Sequence, residues 1–381
     1  MDELTLHQLH EIVGGRLRLA TLGPRDGEWT HVARYCSDSR QLQPGEVFWA
    51  LRGRLNDGST FVESAFARGA SGVVSEKYSQ PWPGCWALQV EDSREALYKL
   101  GRWHRDQFGG RLITVGGVAG TATTRRLIAT VLGSKFSGSS CPQRGHRLDS
   151  IALGMLSLEP SHQFAIFDLN LATPGDVSSL VSECAPSIGV ITDITKPRAT
   201  LSHSTILHDS AMQLVSQLPP NGQAVLAGDD TTIRVAAAHC KAKITWVGES
   251  PDCNLIATRV LSTEGRLSFT VDNQTFHVAA WGRHQLTSIL CAIGVGRIFG
   301  MSMAEMAYAL EAFDPPPQKF DSLVLHGAET VRAPLALPTM PAILKFQSAA
   351  PSDEGFARRL RKAVKHVLRF DPGHRLTLRA A

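Results

Sequence analysis

Hydrophobic positions along the first part of the chain switch between strand-like and helical spacing. GEVFWAL, GVVSEK and CWALQVED are short apolar runs that predict strands. DGSTFVESAFARGA and SREALYKLGRWHRDQF have apolar residues at helical spacing, and Ser93 stands where a hydroxyl can cap the second of these helices. The pattern predicts a separate α/β domain over residues 1–108.

A second pattern begins at Arg111. RLITVGGV, FAIFDL, SIGVITDI, QAVLAGDD and KITWVG are nearly continuous apolar runs rich in β-branched residues, and helical segments separate most of them. Such runs predict a parallel sheet covered by helices on both faces. Ligands of these sheets bind at the carboxyl ends of the strands, so we expect the chemistry in the loops after Val118, Asp168, Ile194 and Gly228.

The pattern weakens toward the end of the chain. LSFTVDNQTFHVAAWG is strand-like, GRHQLTSILCAIGVGRIFG predicts a helix, and SMAEMAYALEAFDPPP predicts a second helix capped by Ser302. These elements complete a predicted central domain over residues 109–318. Residues 319–381 include APLALPTMPAILKFQSAAPSDEG, whose prolines and small residues predict linker or irregular coil.

Composition excludes several classes of protein. A formal net charge of +4 is too small over 381 residues to indicate a nucleic-acid partner. The segment ARRLRKAVKHVLRF is basic. It is either a solvated helix face or a surface that binds an anionic partner. The seven cysteines form no CxxC pair, which argues against structural zinc and a disulfide framework and favours reduced thiols in a cytoplasm. The first residues do not resemble a signal peptide, and no apolar run approaches the ~18 residues of a membrane span.

One strand-to-helix turn has the form of a phosphate-binding loop. VGGVAGTATTRRLI runs from Val115 to Ile128, with a strand, close glycines and a Thr-Thr pair that opens a helix. It contains no lysine, so it is either a nucleotide site without its cation or a glycine-rich turn. Arg125 and Arg126 are expected to lie inside the helix and to point away from the loop. The candidate phosphate-binding residues are Gly117, Gly120, Thr121, Thr123 and Thr124.

The stretch from Cys36 to Lys77, CSDSRQLQPGEVFWALRGRLNDGSTFVESAFARGASGVVSEK, resembles the N-terminal domain of the Mur ligases. The pattern DSR, PG, AL.G, DG..F and A...GA is matched densely. In that family the domain holds the uridine diphosphate of a UDP-N-acetylmuramoyl peptide, and hydroxyl and guanidinium donors suit a pyrophosphate. The alternative is that the acidic and basic residues of DSR only pair across a turn. The resemblance implies five substrate-binding residues: Ser37, Asp38, Ser39, Arg40 and Asp57.

Later motifs extend the resemblance to about residue 318. LNLATPGDVSSLVSECAPSIGVITDI, LPPNGQAVLAGDD and WGRHQLTSILCAIGVGRIFGMSMAEMAYAL are most similar to the branch of the family that adds D-alanyl-D-alanine to a UDP-N-acetylmuramoyl tripeptide. The resemblance implies an α/β fold with a UDP-binding domain, a central P-loop-like ATPase domain and a Rossmann-like C-terminal domain. It also implies ATP and Mg²⁺, which activate a carboxylate as an acyl phosphate that an amine then attacks.

The phosphate loop departs from the family pattern. The family reads G-x-x-G-[ST]-x-G-K-T-T. Alignment on Gly117 and Gly120 requires a deletion of the Gly-Lys pair, whereas ungapped alignment on the two threonines places Thr121 and Ala122 at that glycine and lysine. Neither register has the lysine that reaches the β- and γ-phosphates. A shortened loop is also expected to wrap phosphate poorly.

Other positions that the family uses for metal and catalysis also differ. The glutamate that binds magnesium is Asp168, whose oxygen is withdrawn by about one methylene although magnesium demands near-ideal geometry. The lysine that is carbamylated in the family is Ala211, and a nearby glutamate is Gln213. His284 persists, so Asp168 and His284 are the catalytic remnants, and Thr123 and Asp168 are weak metal candidates.

The segment expected to begin the C-terminal domain is also altered. AETVRAPLALPTMPA stands where the family has D.YNANP, and the residues after it are too few for an independent α/β domain, so that domain is predicted to be largely missing. In LPPNGQAVLAGDD, Gly228 replaces an asparagine, but Asp229 and Asp230 remain. In GRHQLTS, Ser288 replaces an asparagine.

Three functions follow as hypotheses. The first is a catalytically inactive Mur-ligase homologue of peptidoglycan precursor metabolism, which needs no cofactor and retains a UDP-N-acetylmuramoyl-peptide site. The second is an active ligase that uses Asp168, Asp229 and Asp230 for metal. The third is a structural partner whose helices between Met301 and Ala312 dock another Mur ligase or cell-wall enzyme, although such Met and Ala content is more often ordinary core.

Overall fold

The protein is described by a computed structural model over residues 4–20, 31–32, 34–53, 56–117, 120–141, 147–170, 177–194, 201–263, 265–280 and 282–315. By their contacts these residues form two compact units. One falls within Met1–Ile256 and Thr287–Met306, and the other within Ala257–Leu286 and the residues from Ala307 onward. The irregular segment predicted over residues 319–381, its basic stretch and the predicted C-terminal remnant lie outside the described residues.

A five-stranded sheet occupies the first part of the chain. Its strands are β1 (Arg16–Leu19), β2 (Tyr35–Cys36), β3 (Val47–Trp49), β4 (Gly72–Ser75) and β5 (Trp86–Gln89), in the order β1-β5-β4-β3-β2. Only β1 is antiparallel to its neighbour. The helices are α1 (Leu6–Val13), α2 (Val62–Ala67) and α3 (Ser93–Gln107). Trp49, Leu97 and Leu100 are completely buried in the core of this part, which confirms the predicted α/β class.

The cap of α3 lies one residue before the predicted position. Asp92 Oδ1 accepts hydrogen bonds from the backbone N–H groups of Arg94 at 2.8 Å and Glu95 at 3.0 Å. Ser93 was predicted as the cap, but it is the first helical residue, and its own N–H and hydroxyl donate to Glu76. A carboxylate can accept two of the exposed amides at once, and its charge complements the positive end of the helix.

The central sheet has seven strands, all parallel. They are β6 (Arg111–Gly117), β7 (Gly138–Cys141), β8 (Phe164–Asn170), β9 (Ile188–Ile191), β10 (Gln223–Ala227), β11 (Lys243–Gly248) and β12 (Leu255–Ile256), in the order β12-β11-β10-β9-β6-β8-β7. The five predicted strands are confirmed. Because β6 lies between β8 and β9, the strand order reverses beside it, and the crevice that binds ligands in such sheets opens where β6 ends.

Helices connect the strands of this sheet and follow it. They are α4 (Thr121–Gly133), α5 (Arg147–Leu156), α6 (Val177–Cys184), α7 (Leu201–Ser216), α8 (Thr231–Ala236), α9 (Leu286–Ile298) and α10 (Met303–Glu311). The predicted cap at Ser302 is confirmed, because its hydroxyl accepts from the Glu305 N–H while the Glu305 carboxylate accepts from the Ser302 N–H. Within the described ranges, no helix is both long and apolar enough to cross a membrane.

The second unit contains a three-stranded antiparallel sheet of β13 (Thr258–Thr263), β14 (Arg266–Val271) and β15 (Gln274–Ala279). Within the strand-like segment LSFTVDNQTFHVAAWG, β14 and β15 therefore form a hairpin. Asp272 and Asn273 form its two-residue turn with φ of 46° and 64°, the left-handed conformations that such a turn requires. Phe269 and Phe276 stack across the hairpin with ring centroids 5.2 Å apart.

Two of the three methionines in the segment proposed for partner docking lie in the protein interior. Met301 and Met306 are buried, as are Ala309 and Leu310 on the same helical segment. Of the large apolar side chains there, Tyr308 is exposed. The observed burial favours the ordinary core alternative for these helices.

Within the first unit, α3 joins the five-stranded sheet to the helices of the central sheet. The boundary predicted at residue 108 falls just after this helix. Asp149 of α5 accepts hydrogen bonds from the Tyr98 hydroxyl at 2.7 Å and Arg94 Nε at 3.3 Å. Arg105 donates to the carbonyl oxygens of Cys184 at 2.8 Å and Ala185 at 2.7 Å. These bonds fix α3 against α5 and the end of α6.

We predict that Asp149→Ala lowers the free energy of unfolding by about 1–3 kcal/mol, because the Tyr98 hydroxyl and Arg94 lose a buried acceptor. Urea unfolding followed by circular dichroism measures the change. Asp252→Ala is the matched control, because Asp252 pairs with Arg234 but its side chain is 70% exposed, and exposed pairs contribute little. Equal losses in the two variants would contradict the structural role of Asp149.

Candidate functional site

The candidate site begins where β6 passes into α4. β6 ends at Gly117, Gly120 adopts a left-handed conformation with φ of 75°, and α4 starts at Thr121. The Thr124 N–H donates to the Gly120 carbonyl at 2.8 Å. The cap residue has no side chain, so the first amides of α4 have no capping acceptor from it and carry the positive end of the helix dipole. The sequence of this first turn, Thr-Ala-Thr-Thr, supplies no charged side chain.

Both candidate glycines stand where a side chain would be crowded. A methyl group at Gly117 would collide with the Thr192 hydroxyl, which follows β9, and the Thr192 N–H donates to the Gly116 carbonyl at 3.0 Å. A methyl group at Gly120 would lie 3.1 Å from the Ser288 hydroxyl. The structure therefore brings Ser288, which aligns with a family asparagine, to the loop. The intervening residues 118 and 119 lie outside the described ranges.

Asp168, the candidate metal ligand, forms a largely buried ion pair. It lies on β8 in register with Val115 of β6. Arg125 Nε of α4 is 3.4 Å from Asp168 Oδ1, and the two side chains are only 11% and 13% exposed. Arg125 Nη1 also donates to the Ser140 hydroxyl on β7. The Asp168 carboxylate, at the carboxyl end of the central sheet, thus lies beside the positively charged side chain of Arg125.

The burial of Arg125 was missed by sequence reasoning, which expected both arginines simply to point away from the loop. Arg125, Ile128 and Leu132 are spaced three and four residues apart, so helical periodicity places them on one face. That face is buried. This spacing could have identified an internal arginine, although the identity of its partner depends on the strand order.

Cys141 ends β7 close to the same pair. Burial raises the pKa of its thiol most strongly, while hydrogen bonding to Ser139 and Ser157 and the charge of Arg125 lower it. The charge of Asp168 acts in the opposite direction to that of Arg125. The thiol is therefore held protonated beside the ion pair, which does not suit a nucleophile.

The two aspartates after β10 have structural partners. Asp229 accepts from the backbone N–H groups of Glu249 at 2.8 Å and Ser250 at 2.9 Å. Asp230 caps α8 by accepting from the Thr232 N–H at 2.8 Å. These bonds orient both carboxylates toward protein amides. Both oxygens of Asp229 and one oxygen of Asp230 are thus already engaged by backbone amides.

Residues predicted to serve the metal or catalysis have different local environments. Throughout the described ranges, no group of three or more His, Cys, Asp or Glu side chains could hold a metal ion. Ala211 is completely buried in α7. His284 lies in a short 3-10 turn, Arg283–Gln285, of the second unit. Thr123 is half-buried in the first turn of α4. The carboxylates described above do not fit the magnesium ion that the family resemblance implies.

The DSR motif follows β2, and its charged residues pair with each other. Arg40 Nε and Nη2 donate to the two carboxylate oxygens of Asp38 at 2.9 and 2.8 Å, and the Arg40 N–H donates to the same carboxylate. Hydrogen bonding from Arg40 lowers the pKa of Asp38 to about 2. The pairing alternative is thus present in the structure. The Arg40 side chain is nevertheless 83% exposed, which leaves the guanidinium accessible from solvent.

The other N-terminal candidates are arranged differently. Asp57 caps the 3-10 turn Gly58–Phe61, and Lys77 Nζ lies 2.7 Å from Asp57 Oδ2. Hydrogen bonding from Lys77 lowers the pKa of Asp57 to about 2. Sequence reasoning missed this lysine because it follows β4, in a different part of the chain. Ser37 is exposed and Ser39 is buried, and the pyrophosphate role of these residues stays a prediction.

The strand order, the glycine-containing turn and the helix that follows it define the class of protein. Residues 115–296 match the family described as the Mur ligase middle domain. This range begins in β6, includes the candidate loop and ends in α9. Over these residues the chain is similar to the Mur ligase family.

The chain is similar to several ligases. The UDP-N-acetylmuramoyl-tripeptide--D-alanyl-D-alanine ligase of Bacillus subtilis is 25% identical over 81% of this chain and 67% of its own length. The enzyme of that name from Synechocystis is 28% identical over 73% of this chain, which spans 61% of that relative. The structure of UDP-N-acetylmuramoylalanyl-D-glutamyl-2,6-diaminopimelate--D-alanyl-D-alanyl ligase from Acinetobacter baumannii superposes with a TM-score of 0.72 at 19% identity, over 86% of this chain and 72% of that one. This last likeness confirms the fold.

Proposed function

We propose that the chain is a catalytically inactive Mur-ligase homologue that acts in peptidoglycan precursor metabolism in the cytoplasm. In this proposal it needs no nucleotide or metal and retains a binding site for a UDP-N-acetylmuramoyl peptide. The observation that carries the loss of activity is the turn before α4, where Gly120 has a left-handed backbone and the sequence from Gly116 to Thr124 contains no cationic residue. Its remaining function would be to bind or scaffold the precursor.

The central domain supports the loss of nucleotide chemistry. Catalysis of phosphoryl transfer depends on charges that are positioned around the transferred group. Here Asp168 is paired with Arg125, while Asp229 and Asp230 bind backbone amides. An active site would have to break these contacts before it could organise a metal. These contacts therefore support the absence of a catalytic step through magnesium or ATP in this chain.

The N-terminal domain supports retained binding. Its DSR motif is intact, and Arg40 presents an exposed guanidinium beside the end of β2. A guanidinium binds phosphate oxygens through paired hydrogen bonds, and its charge does not depend on pH in the physiological range. Asp38 orients this side chain through its two oxygens. The ion pair thereby restricts the rotamers of Arg40 and reduces the entropy that would be lost on binding.

The alternative function is that of the relatives, ATP-dependent addition of D-alanyl-D-alanine. It is favoured by the extent of the family match and by the persistence of His284. The two proposals predict different outcomes in one assay. An active ligase would release ADP when it is given ATP, a UDP-N-acetylmuramoyl tripeptide and D-alanyl-D-alanine, whereas the inactive homologue would bind the tripeptide precursor alone.

We predict that Arg40→Ala weakens binding of a UDP-N-acetylmuramoyl peptide by roughly tenfold or more, because a charge-assisted contact to pyrophosphate is lost. Isothermal titration calorimetry measures the dissociation constant. Arg40→Lys separates charge from geometry, and it should recover only part of the affinity because an ammonium lacks the planar fork. Arg16→Ala removes an exposed arginine on β1 and serves as the control for net charge.

Undiminished affinity in Arg40→Ala, with binding present in the parent chain, would show that the pyrophosphate role is wrong. The pH dependence provides a second check. Because the pKa of Asp38 is about 2, the pair stays ionised as pH falls from 7 to about 4 and is lost only as pH falls through about 2. Affinity that depends on this pair should therefore be flat between pH 7 and about 5.

A further inference from the structure

We infer that Arg125 is a resident counter-ion that replaces a divalent cation at Asp168. The inference deepens the proposed loss of the nucleotide site and relies on that proposal for the position of the family's metal ligand. It adds a positive role, because the arginine would make the fold of the central sheet independent of magnesium. The observations that support it are the position, burial and packing of the pair.

The position of the pair is set by the central sheet. Ser140 of β7 is in register with Ile166 of β8, and Asp168 lies two residues further along the same strand. Side chains two residues apart on a strand point to one face, so Ser140 and Asp168 both face α4. Arg125 lies in the second turn of α4 and contacts both of them. The guanidinium thus links the helix after the loop to the two strands at this edge of the sheet.

Burial makes the pair more than a surface contact. Arg125 as a residue is 9% exposed, and the Asp168 side chain is 13% exposed. An isolated carboxylate in such a place would be strongly destabilised because it has lost its hydration. A nearby cation restores part of that energy. In a metal-binding protein the ion can supply this charge, whereas here the protein supplies it.

Occupancy by the arginine also excludes the metal. A magnesium ion needs oxygen ligands at about 2.0–2.1 Å in octahedral geometry and usually keeps several waters. The guanidinium lies 3.4 Å from Asp168 Oδ1, against the carboxylate that would have to bind the ion. Two cations beside one largely buried carboxylate would repel each other. The ion pair and a divalent cation are therefore alternatives at this position.

The test is a double-mutant cycle on the full chain with Arg125→Met, Asp168→Asn and the variant that carries both. Thermal unfolding is measured with and without millimolar MnCl₂, which is a probe for a hard divalent cation. Each single variant is expected to lower the melting temperature by roughly 5–10 °C, because it removes one of the two charges of a largely buried ion pair. The double variant should recover at least half of that loss, because it carries neither charge. Manganese should leave the melting temperature of the parent chain unchanged.

Several results would overturn the inference. One is an Arg125→Met variant as stable as the parent, and another is additive losses in the double variant. A third is a manganese-induced rise in the parent's melting temperature that Asp168→Asn abolishes. If Arg125→Met gives no folded protein, a folded double variant supports the inference and a second failure to fold overturns it. The UDP-peptide titration measures binding to the N-terminal domain. Its outcome is therefore independent of the double-mutant cycle on Arg125 and Asp168.

Discussion

Mg-ATP titrated into the purified chain is expected to give no saturable binding at micromolar concentrations. The family's loop lysine is absent in both registers, the loop is short or altered, and the aspartate at the metal position is paired with Arg125. Each lost charge-assisted contact costs about 1.5–3 kcal/mol. Three such losses weaken binding by roughly three to six powers of ten. This is the largest effect on affinity that we predict for the unmodified protein.

Isothermal titration calorimetry with Mg-ATP, and with ATP in the presence of EDTA, measures this expectation. A UDP-N-acetylmuramoyl peptide titrated into the same preparation is the positive control, because its predicted site lies in the N-terminal domain and not in the central domain. Saturable micromolar binding of Mg-ATP would contradict the proposed loss. Arg125→Met would then be the informative variant, since a nucleotide site that uses this guanidinium would lose affinity when it is removed.

Parts of the fold could be predicted from the sequence because their signals are local. The apolar β-branched runs from Arg111 to Gly248 gave the parallel strands of the central sheet, and the Ser302 cap was found from its position before a helical pattern. β7 was missed because Gly138–Cys141 is a short run of small and polar residues without strand periodicity. β12 was missed as well, and with only two residues it is too short to show a period.

The candidate site was harder to predict because its contacts join distant parts of the chain. The order β9-β6-β8 places Thr192 and Asp168 on either side of the loop strand, and no local pattern encodes that order. The pair of Arg125 with Asp168 depends on it directly. Asp38 and Arg40 are two residues apart, so their pairing could be anticipated as an alternative before the structure was known.

Rewriting the loop from GVAGTATTRR to a full G-x-x-G-S-x-G-K-T-T sequence, with the two arginines kept after it, is expected to restore phosphate binding in part. The parallel sheet and the 13-residue helix α4 already present backbone N–H groups at the helix N-terminus. The new lysine would add the compact charge that reaches the β- and γ-phosphates. Affinity for ATP should rise by a factor of ten or more, roughly the contribution of one charge-assisted contact.

Turnover is not expected to return with the loop. Ala211 is buried in α7 and has no amine to carbamylate, and Asp168 remains paired with Arg125. Without an organised metal, the reacting groups are not held in line, and correct orientation supplies as much as ~7–11 kcal/mol of the barrier reduction in such reactions. The repaired chain should therefore bind nucleotide without releasing ADP.

Nucleotide binding by calorimetry and ADP release by a coupled assay together test this repair. The matched control is the same inserted loop with alanine in place of its lysine, which isolates the contribution of the charge from that of the added length. Binding without ADP release would agree with a central domain that has kept its fold and lost its catalytic activity. Full ligase activity after loop repair alone would mean that the Asp168–Arg125 pair opens readily. It would also mean that the loop was the one part of the active site that had been lost.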